Sequence, residues 1–294
     1  MYVVLGANGR AGGETARALI DRGEVVRVVM RRPDQGEKWR ALGAEVAVAT
    51  IEDADAMADA LKGASAAFLL NPPPVSGDPY ARTDEVGAAL AEAARRAHLP
   101  KAVVLSSIGA QHASGTGVIA TLNRFETLLA GVAPATAFLR SGYFVETWSE
   151  VTATVLSENV LPSFLEPAQK IPMVSTIDVG RAAAALLCGD WTGNRVVELG
   201  GPEDWSAGDV AAAFAEVLGR PVKPIFVPAA QRAALLSQDG VPAEVASALL
   251  GMYAGIAKGL FARQNDSEHR RGTVSLAAAI KRVVEASAGA VNRE

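Results

Sequence analysis

Short apolar runs alternate with amphipathic segments through the first half of the chain. The runs are almost continuously hydrophobic, as strands are when helices cover both faces of their sheet. The segments between them repeat apolar residues at helical spacing. The runs predict strands over residues 2–5, 25–30, 44–49, 66–70, 101–105 and 135–140, and the segments predict helices over 14–22, 35–42, 54–61, 78–97 and 117–130. This alternation is typical of an α/β protein with a doubly wound parallel sheet.

A glycine-rich turn follows the first strand directly and reads Gly6-Ala7-Asn8-Gly9-Arg10-Ala11-Gly12. The first glycine allows a sharp turn, the second lets backbone approach a phosphate, and the third lets the helix lie close to the strand. The N–H groups of a helix N-terminus favour an anion such as a pyrophosphate. A purely structural turn is the alternative, but the flanking strand and helix favour a dinucleotide site. Its expected cofactor-binding residues are Gly6, Asn8, Gly9, Arg10, Ala11 and Gly12.

The second predicted strand ends in Arg31-Arg32-Pro33. An acidic residue at this place would bind the ribose 2′-hydroxyl of NAD, and none is present. Arg31 and Arg32 can pair with a 2′-phosphate, and Arg10 is expected to reach the same group, so NADP(H) is favoured over NAD(H). Two solvated arginines beside a turn proline are the alternative. Further cofactor contacts are expected where later strands end, at Asn71, Pro72 and Ser106.

The pattern loosens after residue 144. Residues 145–170 contain aromatic residues and prolines and suit a substrate-side flap, and residues 171–174, 178–188 and 196–199 predict a strand, a helix and a strand that return to the sheet. The rest is mostly helical. Asp53, Asp178 and Ser206 are expected N-caps of three helices, with a place near the adenine as the alternative for Asp53. We predict an NAD(P)-binding Rossmann domain over 1–144, with 171–200 returning to its sheet, and a smaller, mostly helical substrate-side lid region over 145–294.

Composition and charge limit the classes of partner. The net charge is −4 and the 28 Lys and Arg residues are dispersed, so nucleic acid is not an expected partner. No apolar run has the length of about 20 residues that crosses a bilayer, and no membrane association is expected. A single cysteine and the lack of a signal-peptide pattern at the N-terminus favour a cytoplasmic protein. No metal site is predicted, and a homo-oligomer is compatible with the sequence.

These motifs together resemble the NmrA-like family of atypical short-chain dehydrogenase/reductases. The resemblance rests on the glycine turn, the arginine pair, and the segments 106–110, 139–146, 178–182 and 200–202. It covers nearly the whole chain. It implies a Rossmann fold and an NADP cofactor, and the family includes NADPH-dependent quinone and azo reductases, plant aromatic-alcohol reductases and non-catalytic dinucleotide-binding regulators.

The wider superfamily uses a Tyr and a Lys four residues later as its acid–base pair. This chain has no such pair, because its tyrosines at 2, 80, 143 and 253 are followed four residues later by Gly6, Asp84, Thr147 and Ala257. Ketone reduction needs a positioned acid, worth about 10² to 10⁴ in rate. Quinone reduction needs less help, because the anion that forms is delocalised. The candidate proton donors are His112, in a loop, and Tyr143, just after the sixth strand. A surface residue is the alternative for His112, and an aromatic residue that packs the flap against the sheet is the alternative for Tyr143.

Two functions of different class follow. The first is an NADPH-dependent oxidoreductase that transfers hydride to a quinone-like or other electron-poor small molecule, held in an apolar pocket by Phe144, Trp148 and Phe164. The second is a non-catalytic, NADP-binding redox-sensing regulator that acts through a protein partner. The aromatic flap favours the first, since it suits a small-molecule pocket better than a flat contact.

Overall fold

The computed structural model describes residues 1–265 and 267–291. Its strands in chain order are β1 (Tyr2–Leu5), β2 (Val26–Met30), β3 (Glu45–Val48), β4 (Ala66–Leu69), β5 (Lys101–Ser107), β6 (Ala135–Ser141), β7 (Tyr143–Phe144), β8 (Val160–Ser163), β9 (Ile171–Val174), β10 (Gly193–Gly200), β11 (Asp204–Trp205), β12 (Lys223–Phe226) and β13 (Glu268–Arg271).

The helices follow the same order. They are α1 (Arg10–Ile20), α2 (Glu37–Ala41), α3 (Ala54–Leu61), α4 (Pro79–Arg96), α5 (Ala120–Leu129), α6 (Thr152–Glu158), α7 (Thr176–Cys188), α8 (Ala207–Leu218), α9 (Ala229–Gln238), α10 (Ala243–Ala257) and α11 (Leu276–Val291). None of the described helices is both long enough and apolar enough to span a membrane.

Eight strands form the central sheet in the order β13-β10-β6-β5-β4-β1-β2-β3, and every pairing is parallel. The predicted doubly wound Rossmann fold is therefore confirmed. Neighbouring residues of β1 face opposite sides, with Val4 in the core beneath α1 and α7 and Val3 in the core beneath α3, α4 and α5. Helices on both faces explain why the strands are hydrophobic almost throughout.

Only part of the segment 171–200 returns to this sheet. The strand β10 lies in it, but β9 pairs with β7 and β11 in a separate three-stranded sheet. The C-terminal helices α8, α10 and α11 share a third core with the flap, built around Trp148, Trp205, Phe214 and Ile280. The division at residue 144 stays a prediction, and this third core is the packing that joins the flap to the C-terminal region.

Two of the three expected helix caps are present. The Asp53 carboxylate accepts hydrogen bonds from the first turn of α3, and Ser206 forms a capping box with Asp209 at the start of α8. The expectation for Asp178 was wrong, because Ser175 caps α7 through the N–H of Ile177. The Asp178 carboxylate is buried and instead accepts from the N–H groups of residues 273 and 274, so it fixes the segment before α11.

Candidate cofactor and substrate site

The glycine turn is tight and its helix is uncapped. Gly6 has a φ of +65°, and the Gly9 N–H donates to the Gly6 carbonyl over 2.8 Å. Helix α1 begins at Arg10, four residues before the predicted start, so Gly12 lies in the first helical turn. No side chain of the described residues caps α1, and no acidic residue lies in its first turn. The first N–H groups of α1 are thus available to an anion.

Gly12 is where the helix meets the strand. A Cβ atom at this position would lie 2.5 Å from the Leu5 carbonyl oxygen, far inside van der Waals contact. Helix α1 is also held from its other side, since a Cβ on Gly180 of α7 would lie 2.6 Å from the Glu14 carbonyl oxygen. The backbone of the turn is therefore fixed between β1 and α7.

Asn8 joins this turn to the segment after β2. Its side-chain oxygen accepts from the indole of Trp39 over 2.9 Å, and its amide nitrogen donates to the Gln35 carbonyl over 3.0 Å. Trp39 is fully buried. The side chain of Asn8 thus holds the loop in place, and Trp39 is a supporting residue that sequence analysis did not identify.

The arginines at the end of β2 are exposed. The side chain of Arg32 lies 3.4 Å from Asp34 and is 68% exposed. Both guanidinium groups stand at the carboxyl end of β2, where the fold places an adenosine ribose. Arg10 makes different contacts, with the Ser149 hydroxyl at 3.1 Å and the Glu150 carboxylate at 3.2 Å. In the described structure Arg10 therefore joins the glycine turn to the flap, and it makes no contact with the arginine pair.

At the end of β4, the amide nitrogen of Asn71 donates to the Thr83 hydroxyl over 2.8 Å. Its buried side-chain oxygen has no partner among the described residues. Pro72 follows it and is partly exposed. Because β4 lies next to β1 in the sheet, both residues stand beside the glycine turn. An acceptor left free at this edge is suited to a ligand donor.

Ser106 belongs to a buried polar row across the carboxyl end of the sheet. Its hydroxyl donates to Glu126 over 2.5 Å, and Arg140 donates twice to the same carboxylate, over 2.8 and 2.6 Å. In register, Ser106 pairs with Arg140, and Arg140 pairs with the fully buried Glu198 of β10. The hydroxyl hydrogen of Ser106 is thus committed to Glu126, and a ligand would meet only its lone pairs.

His112 lies in the loop after β5. Its backbone N–H donates to the Gly109 carbonyl over 3.2 Å, and among the described residues its ring has no hydrogen-bond partner. The loop packs against the segment after α10, where Phe261 lies beside Gly109 and the Ala262 carbonyl accepts from Gln111 over 3.3 Å. The loop is held by its neighbours, and the role of the His112 ring stays a prediction.

Tyr143 pairs with a second phenol, Tyr253 of α10, at an oxygen separation of 3.3 Å. Burial raises the pKa of Tyr143 well above its ordinary value, and the charge of an ionised Tyr253 would raise it further. Burial also raises the pKa of Tyr253, against the effect of the hydrogen bond from Tyr143. Both hydroxyls are therefore neutral at physiological pH. Sequence analysis missed Tyr253, since nothing within α10 marks it as facing the flap.

Two of the three expected pocket residues extend this pair into an aromatic cluster. Trp148 lies 6.1 Å from Tyr143, and Phe164 packs edge to face on Tyr253 at 5.2 Å. The buried indole nitrogen of Trp148 has no acceptor among the described residues. Phe144 departs from the expectation, because it packs against the core beneath α1 and α7. Adjacent residues of a strand face opposite sides, so Tyr143 and Phe144 cannot line one pocket.

Two surface depressions, of about 400 and about 280 Å³, lie elsewhere on the molecule. The first is between β3 and α3, and the second is beside α8. Neither is lined by a predicted site residue. The site is therefore defined by its chemistry at the carboxyl edge of the sheet.

Fold and glycine turn together define a Rossmann protein of the dinucleotide-binding class. The chain belongs to the NmrA-like family, whose family model matches residues 2–276. The resemblance seen in the sequence is thus confirmed.

Three relatives bear on function. The (4-alkanoyl-5-oxo-2,5-dihydrofuran-3-yl)methyl phosphate reductase of Streptomyces griseus subsp. griseus is 32% identical over 76% of this chain and 76% of its own. The NAD(P)H azoreductase of Xenophilus azovorans is 23% identical over 86% of each chain. The NADPH-dependent quinone oxidoreductase of Escherichia coli, solved with NADPH, superposes with a TM-score of 0.81 at 23% identity and covers 96% of this chain and 99% of its own.

Proposed function

We propose that this protein is an NADPH-dependent reductase of quinone-like or other electron-poor conjugated small molecules. The observation that carries the proposal is the position of two features at one edge of one sheet. An uncapped helix N-terminus follows β1, and a cluster of aromatic side chains with two neutral phenols follows β6. Carboxyl ends of parallel strands meet at the same edge, which is where open α/β sheets bind their ligands.

The residues fit NADPH. The free N–H groups of α1 suit the pyrophosphate, and the exposed guanidinium groups of Arg31 and Arg32 suit a 2′-phosphate. The unpartnered side-chain oxygen of Asn71 is an acceptor beside the turn. Two of the relatives carry NADPH or NAD(P)H in their names, in agreement with this cofactor. When bound, NADPH supplies a hydride, which carries two electrons.

This chain contributes orientation and a proton. No described tyrosine stands four residues before a lysine, so no ionisable pair drives the transfer. The phenols of Tyr143 and Tyr253 keep their protons, because burial holds the pKa of each above its ordinary value. An acceptor whose added charge is delocalised requires only such a weak acid. The aromatic rings beside the phenols suit a planar acceptor and exclude water from it.

The relatives support this class of acceptor. Their names specify an unsaturated lactone with a phosphate ester, an azo compound and a quinone. All three are conjugated systems that can delocalise the charge of an added hydride. We therefore extend to this chain the electronic class of acceptor and no single compound.

The test follows the ultraviolet absorbance of NADPH after addition of acceptors from the three classes. We expect NADPH oxidation with at least one of them, with one NADPH consumed for each quinone or unsaturated lactone reduced and two for each azo bond cleaved to amines. Tight NADPH binding without turnover across all three classes would contradict the proposal and favour a regulator that acts through a protein partner. The variant Arg22→Met serves as the control for loss of an arginine outside the site, since Arg22 is exposed in the turn after the C-terminal end of α1.

A further inference from the structure

Arg232 is a buried cation beside the aromatic cluster, and sequence analysis gave it no role. It is only 9% exposed. Its guanidinium carbon lies 5.1 Å from the ring centre of Phe164 and 4.9 Å from that of Phe226, and its Nε donates to the Val227 carbonyl over 2.9 Å. Within the described chain no carboxylate forms an ion pair with Arg232, and its two Nη nitrogens have no hydrogen-bond partner.

The Nη nitrogens are not among the fully buried polar atoms of the described residues, so they reach solvent and are open to an anion. The similarly buried guanidinium of Arg140, by contrast, donates two hydrogen bonds to the Glu126 carboxylate, over 2.8 and 2.6 Å. Apart from the Val227 carbonyl at its Nε, Arg232 has two aromatic faces, which stabilise a cation without neutralising its charge. Its planar fork of N–H donors is positioned by the two rings and by the bond to Val227, and it matches a planar or tetrahedral anion.

The surrounding helix adds to the positive potential. Arg232 lies in the first turn of α9, which begins at Ala229 with Pro228 before it, no side-chain cap and no acidic residue in the first turn. The partial positive charge of a helix N-terminus disfavours a cation there and favours an anion. The helix end and the buried side chain thus favour the same kind of ligand.

The position of Arg232 connects it to the proposed substrate site. Phe164, on which it stacks, packs against Tyr253, and the field of Arg232 opposes the burial that raises the pKa of Tyr253. Glu150 also acts on both phenols, but its carboxylate already pairs with Arg10 at 3.2 Å. The charge of Arg232 is therefore not neutralised from within this cluster.

We propose that Arg232 forms an anion-binding subsite for a phosphate, sulfonate or carboxylate group carried by the acceptor. The conjugated part of that acceptor lies against Tyr143 and Tyr253, and its anionic group reaches the Nη nitrogens between Phe164 and Phe226. The inference rests on the proposed function for the identity of the ligand as a substrate. The subsite itself is tested without turnover.

The first experiment measures the binding of benzyl phosphate and of the neutral benzyl alcohol by calorimetry, with NADP present. We expect Arg232→Met to lower the affinity for benzyl phosphate by about 10- to 100-fold, which is the usual effect of losing charge-assisted hydrogen bonds. The affinity for benzyl alcohol should change little. The control Arg22→Met should bind both as the wild type does. Equal binding of benzyl phosphate by wild type and Arg232→Met would overturn the proposal.

Two further arms separate other sources of phosphate. The affinity for NADPH should be the same in wild type and Arg232→Met, and a selective loss of NADPH would assign Arg232 to the cofactor instead. Inorganic phosphate should compete with benzyl phosphate but bind more weakly. Equally tight binding of inorganic phosphate would overturn a substrate subsite. If Arg232→Met fails to fold, Arg232→Lys keeps the charge without the flat fork and should weaken benzyl phosphate several-fold; unchanged affinity would count against the proposal.

The turnover arm compares 1,2-naphthoquinone with its 4-sulfonate. The KM of the sulfonate relative to that of the neutral quinone should rise about tenfold in Arg232→Met. A proportional rise for both quinones would mean that Arg232 supports packing alone. If the wild type reduces neither compound, the proposed function fails for quinones, while the calorimetric result still decides the subsite.

Discussion

Replacing Gly12 by alanine tests whether the glycine turn positions the cofactor. The added Cβ would lie 2.5 Å from the carbonyl oxygen of Leu5 and 2.5 Å from the carbonyl carbon of Gly6, whereas ordinary contact begins at 3.4 Å. All these atoms are backbone atoms, so no side chain can rotate away. Helix α1 would have to move by roughly 1 Å. It cannot do so freely, because Gly180 of α7 packs against Glu14 on its other side.

The expected cost follows from these contacts. Overpacking of this kind costs about 1 to 3 kcal/mol, and the better helix propensity of alanine returns about 0.5 to 1 kcal/mol. The net cost of up to about 2.5 kcal/mol should lower the melting temperature by up to about 4 °C, since a chain of 294 residues loses roughly 1.6 °C per kcal/mol. The helical N–H groups move with the helix, so at least one charge-assisted hydrogen bond to the pyrophosphate is lost. NADPH affinity should fall by about 10- to 100-fold.

Gly87→Ala is the matched control. A Cβ on Gly87 of α4 would lie 2.6 Å from the Leu128 Cδ1, the tip of a side chain that can rotate, and 3.2 Å from the Leu128 Cβ, which needs to give by only a few tenths of an ångström. Thermal unfolding and calorimetric titration with NADPH should therefore show little change for Gly87→Ala and a clear loss for Gly12→Ala. Equal affinity for NADPH in the two variants would refute the role assigned to the turn.

Three further changes test the site. The double variant Arg31→Ala/Arg32→Ala should lower the affinity for NADPH by about tenfold and leave the affinity for NADH almost unchanged, because exposed arginines contact the 2′-phosphate. An equal loss of affinity for both cofactors in a binding titration would exclude that role. Glu126→Gln should lower stability by about 3 kcal/mol, or roughly 5 °C in thermal unfolding, because Arg140 loses its buried carboxylate; an unchanged melting temperature would contradict this. Tyr143→Phe/Tyr253→Phe should lower kcat by about 10²-fold if the phenols supply the proton; an unchanged kcat would exclude them. Since burial raises the pKa of Tyr143, wild-type activity should show no tyrosine ionisation below about pH 10.

The sequence predicts the parallel sheet well, because its strands are buried on both faces and are therefore apolar runs. A search for apolar runs does not find β13, because this strand reads Glu268-His269-Arg270-Arg271. Among the described strands it pairs with β10 alone, at the edge of the sheet, and its alternate side chains are the more exposed ones. The strand β8 was not predicted because it contains Pro162, a residue that an edge strand tolerates.

The cofactor end of the site could be predicted because its chemistry is local in sequence. Gly6, Gly9 and Gly12 lie within one turn, and their spacing carries the geometry. The substrate end is assembled from distant segments, with Tyr143 after β6, Tyr253 on α10 and Arg232 on α9. No local pattern marks Tyr253 or Arg232 as a site residue, because the role of each depends on the residues that face it in the fold. Tertiary contacts of this kind decide chemistry that periodicity does not reveal.

The central claim is that this chain reduces a small molecule with NADPH. The most direct measurement mixes the purified protein with NADPH and a quinone and follows both compounds by absorbance. The account predicts that one NADPH is oxidised for each quinone reduced, faster than without protein, and that Gly12→Ala lowers the rate at limiting NADPH. NADPH that binds tightly and stays reduced in the presence of quinone, azo and unsaturated lactone acceptors would contradict it.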